Sequence, residues 1–460
     1  MSNRFAVLIG IIHPILLGIV VAVAVGALAK PAAGQQDVQA DFRGDQYRQE
    51  NSRAVAEVQA GMRTTAYAAW WGFDEADSTR FVQTAINSGA AKVIVPYMGR
   101  DWIITPITLA ADQEIVLEPG VVIAAKRGAF KGSHDSLFKA QSKSNITIGG
   151  YGATLRMQKK DYMSDAYQTA EWRSALYFDS CRDVKVYGLT IRDTGGDGVY
   201  LGDAGEPGYN QNVMIEDVFF DNNYRQGISL ISAENVTIHN CVFKDTGGTG
   251  PAGGIDLETD HPSNRLVNIQ VRNCIAENNQ GPGFIVSPAK LSSESKDISV
   301  RFDNCLVRSG RGHGLMVSGV RDDGPGGSIE FKNCHVRNTR LHGARILDKS
   351  ASGARVRFVN CTWKNVATGA LDAGGYEGVP NLPIMIHLRG PAWSAKPGGV
   401  DFVDCLVDDG QDRPFIAFKA PYKNAPSVHK LTGNITVNNS LGVNADFGEQ
   451  ATEVMLRINR

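Results

Sequence analysis

The sequence predicts an all-β solenoid, a single-stranded parallel β-helix closed at its N-terminal side by a helical cap. Three observations carry this. Six segments align on a cysteine, a second short strand opening with glycine follows each unit, and no helical periodicity interrupts the series. A unit of short strands and tight turns cannot bury its apolar face alone, whereas coils stacked about 4.8 Å apart share one continuous core.

The cysteine-centred segments are NVTIHNCVFKD (235–245), NIQVRNCIAEN (268–278), SVRFDNCLVRS (299–309), SIEFKNCHVRN (328–338), RVRFVNCTWKN (355–365) and GVDFVDCLVDD (399–409). NVMIEDVFFDN (212–222) and DVKVYGLTIRD (183–193) share the phase, with Asp217 and Gly188 in the cysteine place. The fourth residue after each cysteine is Asp245, Asn278, Ser309, Asn338, Asn365 or Asp409, all turn formers. The glycines opening the second strands are Gly198, Gly227, Gly254, Gly283, Gly314 and Gly343, spaced by 29, 27, 29, 31 and 29 residues. Alternation of period two sends Val199/Leu201, Ile228/Leu230, Ile255/Leu257, Phe284/Val286, Leu315/Val317 and Ala344/Ile346 inward. The cysteines then form a ladder of small buried hydrophobes rather than a disulfide framework.

Four regions follow. Residues 1–34 begin with Arg4 and an apolar run from Phe5 to Ala29, then Ala32 and Gly34, as a secretory signal peptide or an uncleaved membrane anchor would. Residues 35–90 supply the cap, with an amphipathic helix in DEADSTRFVQTAINSG (74–89), because an open solenoid end exposes unpaired strands. Residues 91–420 form the β-helix, and 421–460 a terminal strand and tail. The expected location is secreted, periplasmic or at the cell surface, with contact to a membrane only where the leader stays attached. The formal net charge of −1 gives no global attraction for nucleic acid.

One coil departs from the repeat. TGPAGGIDLETDHPSN (249–264) carries Asp256 and Glu258 on the outward side of its strand, followed by Asp260 and His261. Neighbouring coils carry Tyr200/Gly202, Ser229/Ile231, Ile285/Ser287, Met316/Ser318 and Arg345/Leu347 there. The distance from cysteine to glycine is 13 residues in this coil and 9 in the next three, and the surplus falls in the Gly-rich DTGGTGPAGG. Insertions in a solenoid gather on its binding face. Same-face residues on a strand stand about 6.5–7 Å apart, at the lower edge of the separation used for inverting glycoside hydrolysis. With no opposite charge in register, mutual repulsion should hold a proton on one of the two.

Asp256 and Glu258 are therefore the candidate catalytic pair. Asp260, His261, Asp197 and Asp203 are candidate supporting or substrate-binding groups. So are Tyr200, Tyr224 and Arg225 on the preceding coils, and His313, His342 and Arg345 on later ones, with the two histidines expected to stack. The aromatic and charged segment 161–176 is expected to wall the groove. No cofactor is expected. Calcium is open, since no EF-hand or RTX pattern occurs.

An early helix, a Val-Pro strand (KVIVPYMG, 92–99), a strand ending in EPG (118–120), and the continuation SALYFDSCRDVKVYGLTIRDTGGDGVYLG (174–202) make the chain resemble the pectate lyase and polygalacturonase superfamily. The likeness runs over roughly residues 70–420 and implies right-handed coils and action on a polysaccharide. GHG (312–314) matches one polygalacturonase station, but the Asn-Thr-Asp and Arg-Ile-Lys stations have no counterpart. The arginine-centred motif of pectate lyases and the Tyr-x-x-Asp-x-His pattern of mannuronan epimerases are also missing, so no catalytic residue is carried over. The expectation is an exported glycoside hydrolase. A uronate lyase or epimerase using Arg345, Lys349, Arg321 and His342, and a non-catalytic glycan-binding β-helix, stand as alternatives.

Overall fold

The computed structural model describes residues 49–370, 378–439, 442, 444–447 and 451–459, with the side chain of Thr452 excepted. The leader expected over 1–34 lies outside them. Among the described residues no helix is long and apolar enough to cross a membrane.

The chain winds into a right-handed parallel β-helix. Among the described residues a 22-stranded and a 12-stranded sheet run along it, each strand pairing in parallel with its counterpart one coil away. In the smaller sheet Val199, Ile228, Ile255, Phe284, Leu315, Ala344 and Ile384 stand in one row, and Leu201, Leu230, Leu257, Val286, Val317, Ile346 and Ile386 in the next. All are buried, as the alternation predicts. In the larger sheet, ring stacking runs from Phe302 through Phe331 and Phe358 to Phe402 at centroid spacings of 4.9, 5.3 and 5.4 Å. Offset aromatic stacking at coil spacing adds to the burial of these rings.

All seven cysteines are free and buried. The Sγ of Cys274 donates to the Ile238 carbonyl one coil back, at 3.8 Å, and Cys305 and Cys334 repeat the contact at 3.7 Å. The residue before each aligned cysteine makes the corner. Asn240, Asn273, Asn304, Asn333, Asn360 and Asp404 all have φ between 51° and 55°. Asn and Asp tolerate this left-handed conformation better than other residues with a Cβ. The second bend uses Asp245, Asn278, Ser309, Asn338 and Asn365 in the same conformation. The Asn side chains also bond from coil to coil, as in Asn365 to Asn338 and Asn360 to Asn333, both 2.8 Å.

At the N-terminal end a helix spans Thr79–Ile86 and buries Phe81, Val82, Ala85 and Ile86. A second helix, Ser52–Gln59, starts where the Asn51 side chain accepts from Ala54 N at 2.9 Å. The strand Thr65–Tyr67 pairs with Lys92–Val95 in the first rung of the large sheet. At the far end Val428–Asn438 and Ala451–Asn459 continue that sheet.

Candidate active site

The outward row of the smaller sheet reads Tyr177, Tyr200, Ser229, Asp256, Ile285, Met316, Arg345 and Met385. Two insertions fold over its centre from one side. Segment 161–176 meets the Gly-rich loop where Thr249 Oγ1 donates to Glu171 Oε2 at 3.0 Å. In the same segment Trp172 stacks on His134, with centroids 4.8 Å apart and an interplanar angle of 6°. The Tyr224 side chain packs against Gly248 of the Gly-rich loop. From the other side, Asn264 Nδ2 donates to Asp203 Oδ2 at 2.8 Å, joining the loops that follow two different strands. These loop contacts border the centre of the outward row of the smaller sheet.

Asp256 points from this floor but is only 2% exposed. Gln226 Nε2 donates to its Oδ2 at 3.1 Å, while Gln226 Oε1 accepts from Gly253 N at 2.8 Å. The Oδ1 atom is buried without a hydrogen bond. Burial, and next the Glu258 charge, push the Asp256 carboxyl well above the usual range. Glu258 is half-exposed, and burial raises its carboxyl too, opposed chiefly by Arg225.

Arg225 corrects the expectation that no opposite charge neighbours the pair. It reaches across from the turn before the preceding strand, a position that strand register alone does not bring to Asp256. Its Nη2 lies 3.5 Å from Glu258 Oε2, its Nη1 3.6 Å from Asp197 Oδ2, and its Nε 4.0 Å from Glu171 Oε1. Nη1 also donates to Ser229 Oγ at 3.3 Å. Asp197 is fully buried, and burial pushes its carboxyl up to about 7, opposed by Arg225 and Ser229. Glu258 stands close enough for its charge to help hold the proton on Asp256.

Beside this pair, Tyr177 and Tyr200 stack at 4.8 Å and 16°. Lys139 Nζ lies 4.9 Å from the Tyr177 centroid. Asp179, 2% exposed, sits under them and is raised by burial. Gly202 is required here, since a Cβ on it would collide with Asp179 and the Tyr200 ring. Asp260 is exposed, and Asn264 Oδ1 accepts from both Asp260 N and His261 N at 2.8 Å. The His261 ring turns back onto Ser263 Oγ at 2.9 Å, in its own loop and away from the pair.

The later candidates form a separate group. His313 and His342 stack as expected, with centroids 5.0 Å apart and an interplanar angle of 8°. Arg345 Nη1 donates to His313 Nε2 at 2.9 Å, and its Nη2 lies 3.4 Å from His387 Nδ1. Burial lowers all three imidazoles, His342 to about 3 and His387 to about 4. Asp256 and Arg345 are three rungs apart, about 14 Å by strand spacing. The structure therefore brings together Asp197, Tyr200, Asp203, Arg225, Asp256, Glu258 and Asp260, and separates His313, His342 and Arg345 from them.

Sequence reasoning missed Glu171, Asp179, Gln226, Ser229 and His387. Glu171 lay within the segment assigned to the wall, and Gln226 and Ser229 flank an aligned glycine by one and two positions. Asp179 carries no comparable signal. Among the described residues no group of three or more His, Cys, Asp or Glu is placed to hold a metal ion. A hollow of about 860 Å³ lies elsewhere, lined by Lys126, Arg127, Arg156, Lys160 and Arg192 among others. Its cations are largely engaged, with Lys126 on Asp77 at 2.8 Å, Arg127 on Asp161 at 2.7 Å and Arg156 on Asp101 at 2.5 Å.

The right-handed β-helix region family matches residues 131–268 and 170–319. No curated protein matches the chain in sequence. Among solved structures, the A-module of the Azotobacter vinelandii mannuronan C-5 epimerase AlgE6 is similar at 12% identity, covering 86% of this chain and 99% of that one, with a TM-score of 0.56. A Yersinia enterocolitica family 28 exopolygalacturonase is similar at 13% identity, 86% and 78% coverage and a TM-score of 0.56. The Streptococcus pneumoniae surface adhesin PfbA is similar at 12% identity, 82% and 91% coverage and a TM-score of 0.51. With the coil register described above, the chain shares the right-handed parallel β-helix fold with these structures.

Proposed function

We propose that this protein is a glycoside hydrolase that lays a polysaccharide along the smaller sheet and cleaves it at Asp256 and Glu258. The observation that carries this reading is the pair of carboxyls on one outward strand, one buried and one half-exposed, both raised by burial. Such a pair favours one proton and one charge, because each carboxylate disfavours ionisation of its neighbour. Asp256, the more strongly raised, holds the proton and gives it to the leaving glycosidic oxygen. Glu258, whose charge Arg225 balances, faces solvent and takes the proton from the attacking water. Two of the similar structures carry names of polysaccharide-acting enzymes, which fits a glycan partner.

Reducing-end release from a panel of plant, algal and bacterial polysaccharides tests the proposal, with Asp256→Asn as the control. Hydrolysis needs new reducing ends that vanish in the variant. An unsaturated product absorbing in the ultraviolet would point instead to elimination, and glycan binding with neither product to a non-catalytic role.

A further inference from the structure

An acid that protonates a leaving oxygen works best when its proton sits on one carboxyl oxygen only, and a neighbouring amide decides which. We propose that Gln226 is a positioning residue that keeps the Asp256 proton on Oδ1 and steadies the carboxylate through Oδ2 once that proton has left. This rests on the hydrolase reading of the pair and adds a residue to it.

Gln226 stands one rung before Gly253, in the register that places Ser229 one rung before Asp256. Its side chain is wholly buried and bonds at both ends. The Gly253 N–H donates to Gln226 Oε1 at 2.8 Å, and Gln226 Nε2 donates to Asp256 Oδ2 at 3.1 Å. A backbone N–H can only donate, so it admits the amide in one orientation, with its oxygen toward Gly253 and its NH2 toward Asp256. Turned the other way, the NH2 would face another donor. Glycine suits this contact, because a Cβ at 253 would stand 3.2 Å from Oε1 and 2.5 Å from the Pro282 carbonyl oxygen.

The fixed NH2 makes Oδ2 an acceptor, and a proton placed there would meet a donor. The acid form therefore carries its proton on Oδ1, which is buried and has no donor of its own. The charged groups acting on Asp256 are Glu258, Arg225, Asp197 and Asp260, and they set how firmly the carboxyl holds its proton. Its partners on the flanking rungs, Ser229 and Ile285, are uncharged. Gln226 is neutral too, and sets where the proton sits. As the glycosidic bond breaks, Oδ1 gives its proton to the leaving oxygen and Asp256 becomes a carboxylate. The Gln226 N–H on Oδ2 favours that charged form.

The test uses the full chain with Gln226→Met, which fills similar space without an N–H, and with Gln226→Glu. The second keeps the Gly253 contact but turns an acceptor toward Oδ2. Infrared spectra across pH follow the protonated-carboxyl band that Asp256→Asn removes, read per folded molecule. In Gln226→Met the band should move to higher frequency, because its carbonyl loses a donor. Its titration midpoint should rise by roughly half a unit to one unit, and the alkaline limb of kcat/KM should rise with it. Gln226→Glu should keep the band but lower kcat by about a hundredfold, since the proton is drawn to Oδ2. A purely structural role would lower the melting temperature and leave band and midpoint in place, which overturns the proposal. Unchanged kcat in Gln226→Glu overturns it as well. Reducing-end release by the unmodified protein, with an unmoved band in Gln226→Met, leaves hydrolysis standing and removes the positioning role. A moved band and midpoint with no cleavage of any polysaccharide leaves the positioning role standing and removes hydrolysis.

Discussion

Asp256 and Arg345 stand on the same outward row, three rungs apart, in opposite surroundings. Around Asp256 a single guanidinium, that of Arg225, serves Glu258, Asp197 and Glu171. Around Arg345 the neighbours are imidazoles, two of them stacked, and the guanidinium is held by His313 and His387. Burial acts on both groups through the same penalty on charge, with opposite consequences for protons. It keeps protons on the carboxyls and strips them from the histidines. The first region is thereby supplied with an acid, whereas in the second neutral imidazoles border Arg345, with Arg389, Arg413 and Asp348 close by.

The largest expected effect is catalytic. Asp256→Asn and Glu258→Gln should each lower kcat by about a hundredfold or more, the usual scale for acid–base groups, with circular dichroism unchanged. Arg345→Gln should change kcat per folded molecule by less than about tenfold. A reversal of these two results would move the chemistry to the histidine region.

Next comes Arg225→Met, which leaves Asp197 and Glu258 facing one another without a counter-charge. Removing one partner from such a buried cluster costs roughly 3–5 kcal/mol. Denaturant midpoints should show that loss most fully at pH 9 and recover part of it at pH 5, where Asp197 already holds its proton. An equal deficit at both pH values would separate Arg225 from the protonation of the acids.

The pH slopes sharpen the comparison further. Asp197 is at about 7 in the fold against an unfolded value near 3.8, so its contribution is fully present below 3.8 and is lost as pH rises through 7. His342 is at about 3 against 6.5, so its contribution is present above 6.5 and is lost as pH falls through 3. Between these limits the two regions pull stability in opposite directions, by at most about 1.4 kcal/mol per pH unit for each group. Melting curves of Asp197→Asn should lose the fall on the alkaline side, and those of His342→Gln the fall on the acid side. Matching slopes in both variants would contradict the distinction. The smallest expected effect is none. A reductant should leave the melting temperature unchanged, because all seven thiols are already free and buried.

Much of this architecture was legible because a solenoid repeats one solution. The Asn-Cys corner, the leading glycine and the two inward positions recur at nearly constant spacing, so the neighbours of Ile255 on adjacent coils follow from alignment alone. The same register predicted the stacking of His313 on His342. It placed Asp256 in the outward row, where the structure has it, but did not foresee its burial. Insertions border that position, and an insertion has no counterpart on the next coil from which to read its path. Arg225 was named as a candidate for substrate, but its reach to three carboxyls depends on a turn that alternation does not describe.

By itself the sequence determined the coil, its core rows, the free cysteine ladder and the strand that carries two acids. These follow from periodicity, since every rung must bury the same side of the same short strand. Only the tertiary structure decided that Arg225 would bridge Glu258 to Asp197, that Asp256 would be buried, and that the histidines would gather around a different cation. Those contacts join residues from separate coils through side-chain reach and loop packing, and both are set by three-dimensional distance rather than by spacing along the chain.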